Sequence, residues 1–347
     1  MLRVFCVFAL LGCVFGGVAP AFAQYPDDPE QLAYEDYGDY RFYATRRHND
    51  IQGVEAVFDD YRRGWLNRYN SEILVGANPN KHQSDIPFCS RSANNLDQRM
   101  NRTNCGSGHV VRSNIVGFTA DNEGETKETG GIGYLGYEYM FSDRFFLGVG
   151  STFSKTNIDH TSNGHTLDIK TQDVALHLLG GYRFQNESMA AWNVSYVRGN
   201  DDIVRDDTVT GDVTYNTVQV TGVWYKNFDI RPDLHMNLGI DYTLQIFGSD
   251  KFTESNGIER KVPSIWRGDF TTSLLFTKDF EGAEAFARLG SSFEALNPSD
   301  QSFDFTADLG GSVALTDKIA LTGSVGGMLR TNGYQELRGT ARIASKF

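Results

Sequence analysis

Strict alternation of apolar and polar residues constrains the fold of this chain more than any other feature. The clearest run is 234–246, in which Leu, Met, Ile and Tyr occupy every second position and charge is confined to the others. A period of two places alternate side chains on opposite faces of a β-strand. One such strand also fits a soluble antiparallel sheet, so the number and length of the runs decide between the two classes.

The alternation recurs in twelve segments. Many approach the roughly 9–11 residues that a membrane-spanning strand needs, whereas the mean soluble strand has about 5–6. The even number suits a closed up-and-down barrel. The sequence therefore predicts an all-β fold, a twelve-stranded antiparallel transmembrane β-barrel with a short partly helical N-terminal region, and a soluble sandwich is the alternative. The predicted strands are 110–120, 131–140, 145–153, 174–184, 190–196, 218–224, 234–246, 270–276, 283–293, 303–315, 319–329 and 337–347.

Composition excludes several other classes. The mean hydropathy of -0.37 argues against a multispan helical membrane protein. The 24 Phe and 16 Tyr argue against wholesale disorder. A net charge of -12 gives no electrostatic support for nucleic-acid binding. The apolar outer face of the predicted barrel indicates that the protein contacts outer-membrane lipid.

The predicted barrel has a polar lumen and an aromatic exterior. Twelve strands are expected to enclose a lumen roughly wide enough for one polypeptide segment. Tight turns such as Ser142-Asp143 and Thr316-Asp317 alternate with longer polar loops such as 250–263. Interfacial girdle positions are predicted for Trp192, Tyr196, Trp224 and Tyr242. Both signs of charge are predicted to face inward, at Asp173, His177, Arg183, Asp241, Asp269, Glu284, Arg288, Asp304, Asp308, Arg338 and Arg342.

The N-terminus has the pattern of an export signal. Arg3 precedes the apolar run 4–15, and Ala21-Phe22-Ala23 is a small-x-small cleavage site, which predicts a cut between Ala23 and Gln24. A lipoprotein signal ending at Cys13 is the alternative. The mature chain then retains Cys89 and Cys105, and an exported pair predicts a disulfide over two free thiols. No His pair at ligand spacing accompanies them, so no metal and no cofactor is expected.

Gly-aromatic strings along the predicted barrel resemble the autotransporter translocator domain of type V secretion. They are GIGYLGYEY at 131–139, FFLGVG at 145–150 and LGGYRF at 179–184, and the chain ends in Phe347. The resemblance covers about 91–347. It implies a twelve-stranded outer-membrane barrel of a Gram-negative bacterium with a helical segment through its lumen. The terminal aromatic is similar to the signal that engages the barrel-assembly machinery.

The segment before the barrel resembles the pre-barrel helix of secreted serine-protease autotransporters. In that family an Asn-Asn bond is cut when the first Asn attacks its own carbonyl, which makes Asn94 the candidate nucleophile and Asn94–Asn95 the candidate scissile bond. Inward-facing Asp241, Asp269 and Glu284 are candidate activating groups. Cys89 and Cys105 depart from the family, because an unbroken helix holds them about 24 Å apart and excludes their bridge. An uncut short helix inside a disulfide-closed loop is the favoured interpretation.

The remaining N-terminal region is short. The chain divides into a signal peptide (1–23), a short N-terminal region (24–88), a pre-barrel segment (89–108) and the barrel (109–347). The acidic stretch 25–43, with Tyr34, Tyr37 and Tyr40, offers few ways to bury a core and is compatible with disorder. From Asp50 a helix is predicted, with one apolar side formed by Ile51, Val54, Val57, Phe58, Tyr61 and Trp65. A plug helix packed on the barrel is favoured over a surface-displayed adhesive element.

No enzyme motif is present in the sequence. Gly-x-Ser-x-Gly, Walker and His-Glu-x-x-His patterns are absent, and the seven His are scattered. A barrel enzyme would place its site at the outer rim, where Asp159, His160, Asp201 and Asp202 are candidates. The functional hypotheses are a translocator-like barrel with a short passenger or plug, an adhesin that contacts a host or neighbouring cell, and a porin-like diffusion pore.

Overall fold

The computed structural model describes most of the predicted barrel and two short N-terminal segments. The described residues are 29–46, 54–63, 108–141, 145–184, 188–231, 233–262, 264–280, 283–296, 303–316, 319–331 and 333–346. The predicted signal site, Ala23 and Gln24, lies outside them, as do Cys89, Cys105, Asn94, Asn95 and Phe347.

Twelve antiparallel strands form a closed barrel, which confirms the predicted fold class. The order runs from β1 through β7, continues from β10 to β14, and closes where β14 pairs with β1. A two-stranded hairpin, β8 and β9, stands in the connection between β7 and β10. The strands are β1 (Gly108–Asn122), β2 (Thr126–Met140), β3 (Phe145–Ser162), β4 (His165–Arg183), β5 (Ser188–Arg205), β6 (Val209–Arg231), β7 (Leu234–Ser249), β8 (Lys251–Thr253), β9 (Glu259–Lys261), β10 (Ile265–Phe280), β11 (Ala283–Leu296), β12 (Phe303–Ala314), β13 (Ile319–Arg330) and β14 (Tyr334–Lys346).

The barrel wall is apolar outside and polar inside over the height of its shorter strands. Leu176, Leu309 and Val325 are each 63% exposed on the outer face. The neighbouring positions Asp308 and His177 are buried and face the lumen. In lipid, closure of the sheet gives the backbone groups of the wall their partners from neighbouring strands.

Two helices, α1 (Pro29–Arg46) and α2 (Glu55–Arg63), lie inside the barrel. Their side chains bond to inward-facing wall residues, Tyr37 to Asp201 and Tyr61 to Glu138. Within the described residues, neither helix is both long and apolar enough to cross a membrane. The helix predicted from Asp50 is present as α2. The stretch 25–43 was interpreted as compatible with disorder. That interpretation is wrong for the described part of the stretch, because α1 forms there.

We call the end at which β1 begins and β14 ends the near mouth, and the opposite end the far mouth. Strands β3 to β6 contain 18, 19, 18 and 23 residues, whereas β12 and β13 contain 12 each. The long strands therefore extend past the apolar belt at the far mouth. There the polarity reverses: Lys155, Asn157 and Asp159 face outward, and Ile158 and Ile169 are buried inward.

The predicted long polar loops are mostly strand. Asn163 and Gly164 have φ of 52° and 80° and close a two-residue hairpin between β3 and β4. Positive φ at both positions matches the right-handed twist of paired strands. Polar residues before and after the turn therefore continue the ladder. The stretch 250–263, predicted as a loop, contains the β8–β9 hairpin.

Glycines on the inner face accept aromatic rings from their own strand or a neighbouring one. A Cβ built on Gly136 or Gly150 would overlap the ring of Tyr134, and one on Gly199 would overlap Tyr215. These contacts explain the glycines at positions 136 and 150 of the two strings.

Candidate functional site: the plugged lumen

One face of α1 is fully buried against the barrel. Tyr34, Tyr37, Arg41 and Ala44 follow one another at spacings of three, four and three residues, and all are fully buried. That spacing places side chains on one side of an α-helix. The face packs against Ile158, Leu167, Ile169, Ile203, Val213, Tyr215, Phe247, Phe252, Val262 and Ile265.

The tyrosine hydroxyls of α1 bond to three carboxylates. Tyr34 donates to Glu254 over 2.7 Å and Tyr37 donates to Asp201 over 2.6 Å. Tyr40 donates to Glu128. We call Tyr34, Tyr37 and Tyr40 the tyrosine ladder. Its acceptors belong to the β7–β10 connection, to β5 and to β2, so the ladder attaches one helix to three separate parts of the barrel.

Arg41 lies at the centre of this half of the lumen. Its Nη2 is 2.6 Å from Asp173 Oδ1 and its Nε is 3.2 Å from Asp201 Oδ2. The guanidinium also lies 4.5 Å from the centre of the Tyr215 ring. Since Arg41 is fully buried, its charge depends on these partners, because an unpaired charge in a low-dielectric interior costs several kcal/mol.

The β8–β9 hairpin holds the first turn of α1. Glu254, just past β8, accepts hydrogen bonds from Arg205 Nε at 2.9 Å and Arg260 Nε at 3.2 Å. Glu30 of α1 pairs with both arginines. Burial raises the pKa of the Glu254 carboxyl, but the bonds from Arg205, Tyr34 and Arg260 outweigh it and leave that pKa below its ordinary value. The carboxylate is therefore ionised at neutral pH.

The helix α2 fills the lumen nearer the near mouth. Val57 and Phe58 pack with Tyr134, Phe146, Leu179 and other wall residues. Tyr61 stacks on Phe146 with ring centres 4.0 Å apart and donates to Glu138 over 2.6 Å.

Arg62 of α2 is bonded mainly to neutral groups. Its Nε donates to Asn237 over 2.6 Å and its Nη2 donates to Ser273 over 3.1 Å. Asp59 is its nearest carboxylate, at 3.2 Å, and Asp59 also lies 3.4 Å from Arg288. The two helices thus differ in their polar partners: α1 binds mostly carboxylates, whereas α2 binds one carboxylate through Tyr61 and an amide and a hydroxyl through Arg62.

A cavity of about 50 Å³ lies between α2 and the wall formed by β6, β7 and β10 to β13. Hydroxyl groups of Thr221, Thr243 and Ser273 line it together with Asp241 and Arg288. This volume suits a few water molecules.

The predicted lumenal charges face inward wherever their side chains are described. Asp173, His177, Glu284, Arg288, Asp304, Asp308, Arg338 and Arg342 are buried on the inner face, and Asp241 and Asp269 share that face by strand register. Only the backbone of Arg183 is described. Pairing runs along the wall: Arg288 and Arg338 both lie 2.7 Å from Asp308.

The outer-rim enzyme candidates do not assemble into a site. Asp159 and His160 are consecutive residues of β3, and Asp201 and Asp202 are consecutive residues of β5. Strand geometry sends Asp159 and Asp202 outward and His160 and Asp201 inward. Asp201 instead binds α1. Among the described residues, no cluster of three or more His, Cys, Asp or Glu side chains could hold a metal ion.

Solved structures show what the fold resembles. The translocator domain of the autotransporter NalP from Neisseria meningitidis matches 70% of this chain and 90% of its own length, at 14% identity and a TM-score of 0.62. The β-domain of the Bordetella autotransporter BrkA matches 70% of this chain and all of its own length, at 15% identity and a TM-score of 0.58.

A third neighbour is the transport unit of the autotransporter AIDA-I from Escherichia coli. It matches 81% of this chain and 99% of its own length, at 12% identity and a TM-score of 0.53. No protein-family model matches the chain, and a search of curated proteins found no match. The apolar exterior, the polar lumen and these likenesses agree: the chain has the fold of an autotransporter translocator domain, an outer-membrane β-barrel of the Gram-negative type.

Proposed function

We propose that the protein is a translocator-like barrel whose own N-terminal segment has crossed the lumen and remains there as a plug. The direction of the segment carries the proposal. Glu30 and Gln31, at the start of α1, contact Arg260 and Lys261 in the far-mouth hairpin. The barrel begins with Gly108 at the near mouth. The N-terminal segment precedes the barrel in the chain, and the barrel starts at the near mouth. The segment has therefore reached the far mouth through the lumen.

The far mouth is the cell-surface end in this proposal. Outer-membrane barrels have short periplasmic turns and longer extracellular connections. The β8–β9 hairpin and the projecting strands β3 to β6 are at the far mouth. Export by a signal cut between Ala23 and Gln24, insertion by the barrel-assembly machinery through Phe347, and a Cys89–Cys105 disulfide complete the proposal.

We infer that the Asn94–Asn95 bond stays intact. The reduced intact mass of the protein from purified outer membranes tests this inference together with the signal site. A mass for residues 24–347 supports both. A mass for residues 95–347 would show single-turnover self-cleavage and would remove the covalent link between plug and barrel.

Conductance in planar bilayers tests the plug. The purified wild-type protein is expected to stay closed, because α1 and α2 occupy the lumen. Steady conductance of the wild type would contradict the proposal and favour a porin-like pore.

A second candidate function is adhesion to a host or neighbouring cell. The observation that favours it is the polar outer face of β3 to β6, which projects past the apolar belt. Adhesion of whole cells that express the protein, compared with cells whose protein has shortened β5 and β6, tests it. Equal adhesion would leave the self-plugged translocator as the better account.

A further inference from the structure

The plug consists of two parts with separate apolar cores. Tyr34 and Tyr37 of α1 belong to a cluster with Ile158, Leu167 and other far-mouth residues. Val57 and Phe58 of α2 belong to a second cluster that shares no residue with the first. The apolar contacts of one helix with the wall are therefore distinct from those of the other.

The wall between these two clusters is polar. Ser195, Thr217 and Gln219 lie between them on β5 and β6, and each is at most 1% exposed. These polar residues separate the two apolar clusters along the wall, so this level is a natural boundary between the two parts.

The far-mouth part of the wall has the chemistry of a binding site. Its apolar residues come from β3 to β7, the β7–β10 connection and β10 and lie beside α1, and the carboxylates of Glu128, Asp173, Asp201 and Glu254 bond to α1. Arg205 and Arg260 neutralise Glu254. For Asp173 and Asp201, the cation is Arg41 of α1 itself. An occupant must therefore bring a guanidinium and hydroxyl donors on an amphipathic helix.

We infer that the far-mouth half of the lumen is a peptide-binding vestibule for amphipathic helical segments that present tyrosine hydroxyls and one guanidinium at the spacing of α1. The helix α1 is its tethered occupant. A segment of the same chemistry supplied from another chain exchanges with α1, while α2 keeps the barrel closed beneath it. This inference rests on the proposed plug function and adds a ligand class to it.

A labelled peptide with the sequence of residues 29–46 tests the exchange on the full-length protein. A tether holds α1 at an effective concentration of roughly millimolar. Micromolar peptide should therefore bind the wild type weakly. The double variant Tyr37→Phe/Arg41→Gln weakens the tethered helix and leaves the wall intact, so it is expected to bind the peptide at least tenfold more tightly.

Variant peptides provide matched controls that leave barrel folding unchanged. A peptide with Arg41→Glu should lose binding at least tenfold, whereas one with Leu32→Ala, a partly exposed position, should bind as the parent does. Heat-modifiable migration in gels verifies that each barrel variant is folded.

Three results would overturn the inference. One is a folded double variant that fails to bind the peptide at about 100 µM. Another is α1 remaining protease-resistant in that variant, because α1 would then be held by other contacts. The third is a through-pore in planar bilayers when α1 is weakened, because α2 would then leave with α1. A failure of the proposed plug function can be distinguished from a failure of this inference, because it would appear as conductance of the wild-type protein.

Discussion

At the scale of single residues, Arg41 shows how the barrel selects its plug. A buried guanidinium is costly alone, and Asp173 and Asp201 are equally costly without it. The three groups are stable only together, with Arg41 Nη2 2.6 Å from Asp173 Oδ1. The interaction therefore specifies position more than it adds net stability.

Replacement of Arg41 by Leu should free α1. The change leaves two buried carboxylates without their cation and should weaken docking of α1 by about 3–5 kcal/mol. Limited proteolysis by proteinase K should then cut within 29–46 much faster than in the wild type. Arg198→Leu, on the exposed outer face of β5, is the matched control and should have no effect. Equal protection of α1 in Arg41→Leu and wild type would show that the ion pairs do not hold it.

Removal of one hydroxyl from the tyrosine ladder should have a smaller effect. Tyr37→Phe keeps the buried ring and loses its bond to Asp201, which is worth about 1 kcal/mol or somewhat more with a charged acceptor. Amide hydrogen exchange of α1 should accelerate by roughly five- to tenfold. Tyr196→Phe, whose hydroxyl bonds to Asn216 at an exposed site, is the control. Unchanged exchange in Tyr37→Phe would contradict this account of the ladder.

At the scale of elements, the β8–β9 hairpin and α1 stabilise each other through charge. Glu254 accepts bonds from Arg205, Tyr34 and Arg260, and its pKa is lowered as a result. Burial raises the pKa of the Tyr34 hydroxyl well above its ordinary value, and the bond to Glu254 raises it further, so this donor keeps its proton at neutral pH.

The lowered pKa of Glu254 predicts the pH dependence of this contact. A carboxyl whose folded pKa is depressed stabilises the folded contact above its unfolded pKa, about 4.3 for Glu. That stability is lost as the pH falls through the lowered value. Protection of the first turn of α1 against proteolysis by pepsin should therefore decline below about pH 4. At neutral pH, proteinase K should cut the first turn of α1 faster in Glu254→Gln than in the wild type, and the pepsin protection of Glu254→Gln should respond less to acid. An identical acid response in both proteins would assign the effect to other groups.

Within strand β5, Gly199 makes room for the support of Arg41. A Cβ there would overlap the ring of Tyr215, over which the Arg41 guanidinium lies. Gly199→Ala should cost about 1–3 kcal/mol through overpacking and lower the temperature at which the barrel loses its folded gel mobility. Gly117→Ala is the control, since nothing lies within 4 Å of its Cβ position on the outer face. Equal melting temperatures would show that Tyr215 moves freely.

At the scale of the whole molecule, one sheet meets two environments. Around the belt, Leu309 and Val325 face outward and Asp308 faces the lumen. Past the belt, Lys155 faces outward and Ile158 faces α1. The reversal follows from the surroundings: lipid favours an apolar exterior, whereas a projecting wall in water buries its apolar residues inside.

Orientation in the membrane can be measured with cysteines at the two mouths. Thr208 lies in a far-mouth turn and Thr316 follows β12 at the near mouth, and both are exposed. In a background with Cys89→Ser and Cys105→Ser, a membrane-impermeant maleimide should label Thr208→Cys on intact cells and Thr316→Cys only after lysis. The reverse pattern would mean that the plug enters from the other side.

The sequence alone determined the barrel. A period-two pattern is local, so twelve strands, their faces and the inward positions of Asp173, Arg288 and Asp308 follow from neighbouring residues. The pattern predicted strands that are too short at the far mouth. In the projecting part of these strands the apolar side chains face inward and the polar ones outward, which is the reverse of the pattern in the membrane belt. The Asn163-Gly164 pair was the available signal for a tight hairpin there.

The docking of α1 could not be read from local sequence. The 3-4-3 spacing of Tyr34, Tyr37, Arg41 and Ala44 was visible in the sequence, but its partners were not. Glu254, Asp201 and Glu128 lie 220, 164 and 88 residues away along the chain. They converge because the barrel closes, and a polar helix in an acidic segment gains a core only inside that closed wall. The local sequence pattern therefore specified the strands of the barrel wall. The position of α1 depends on residues that are far apart in the chain and that only barrel closure brings together.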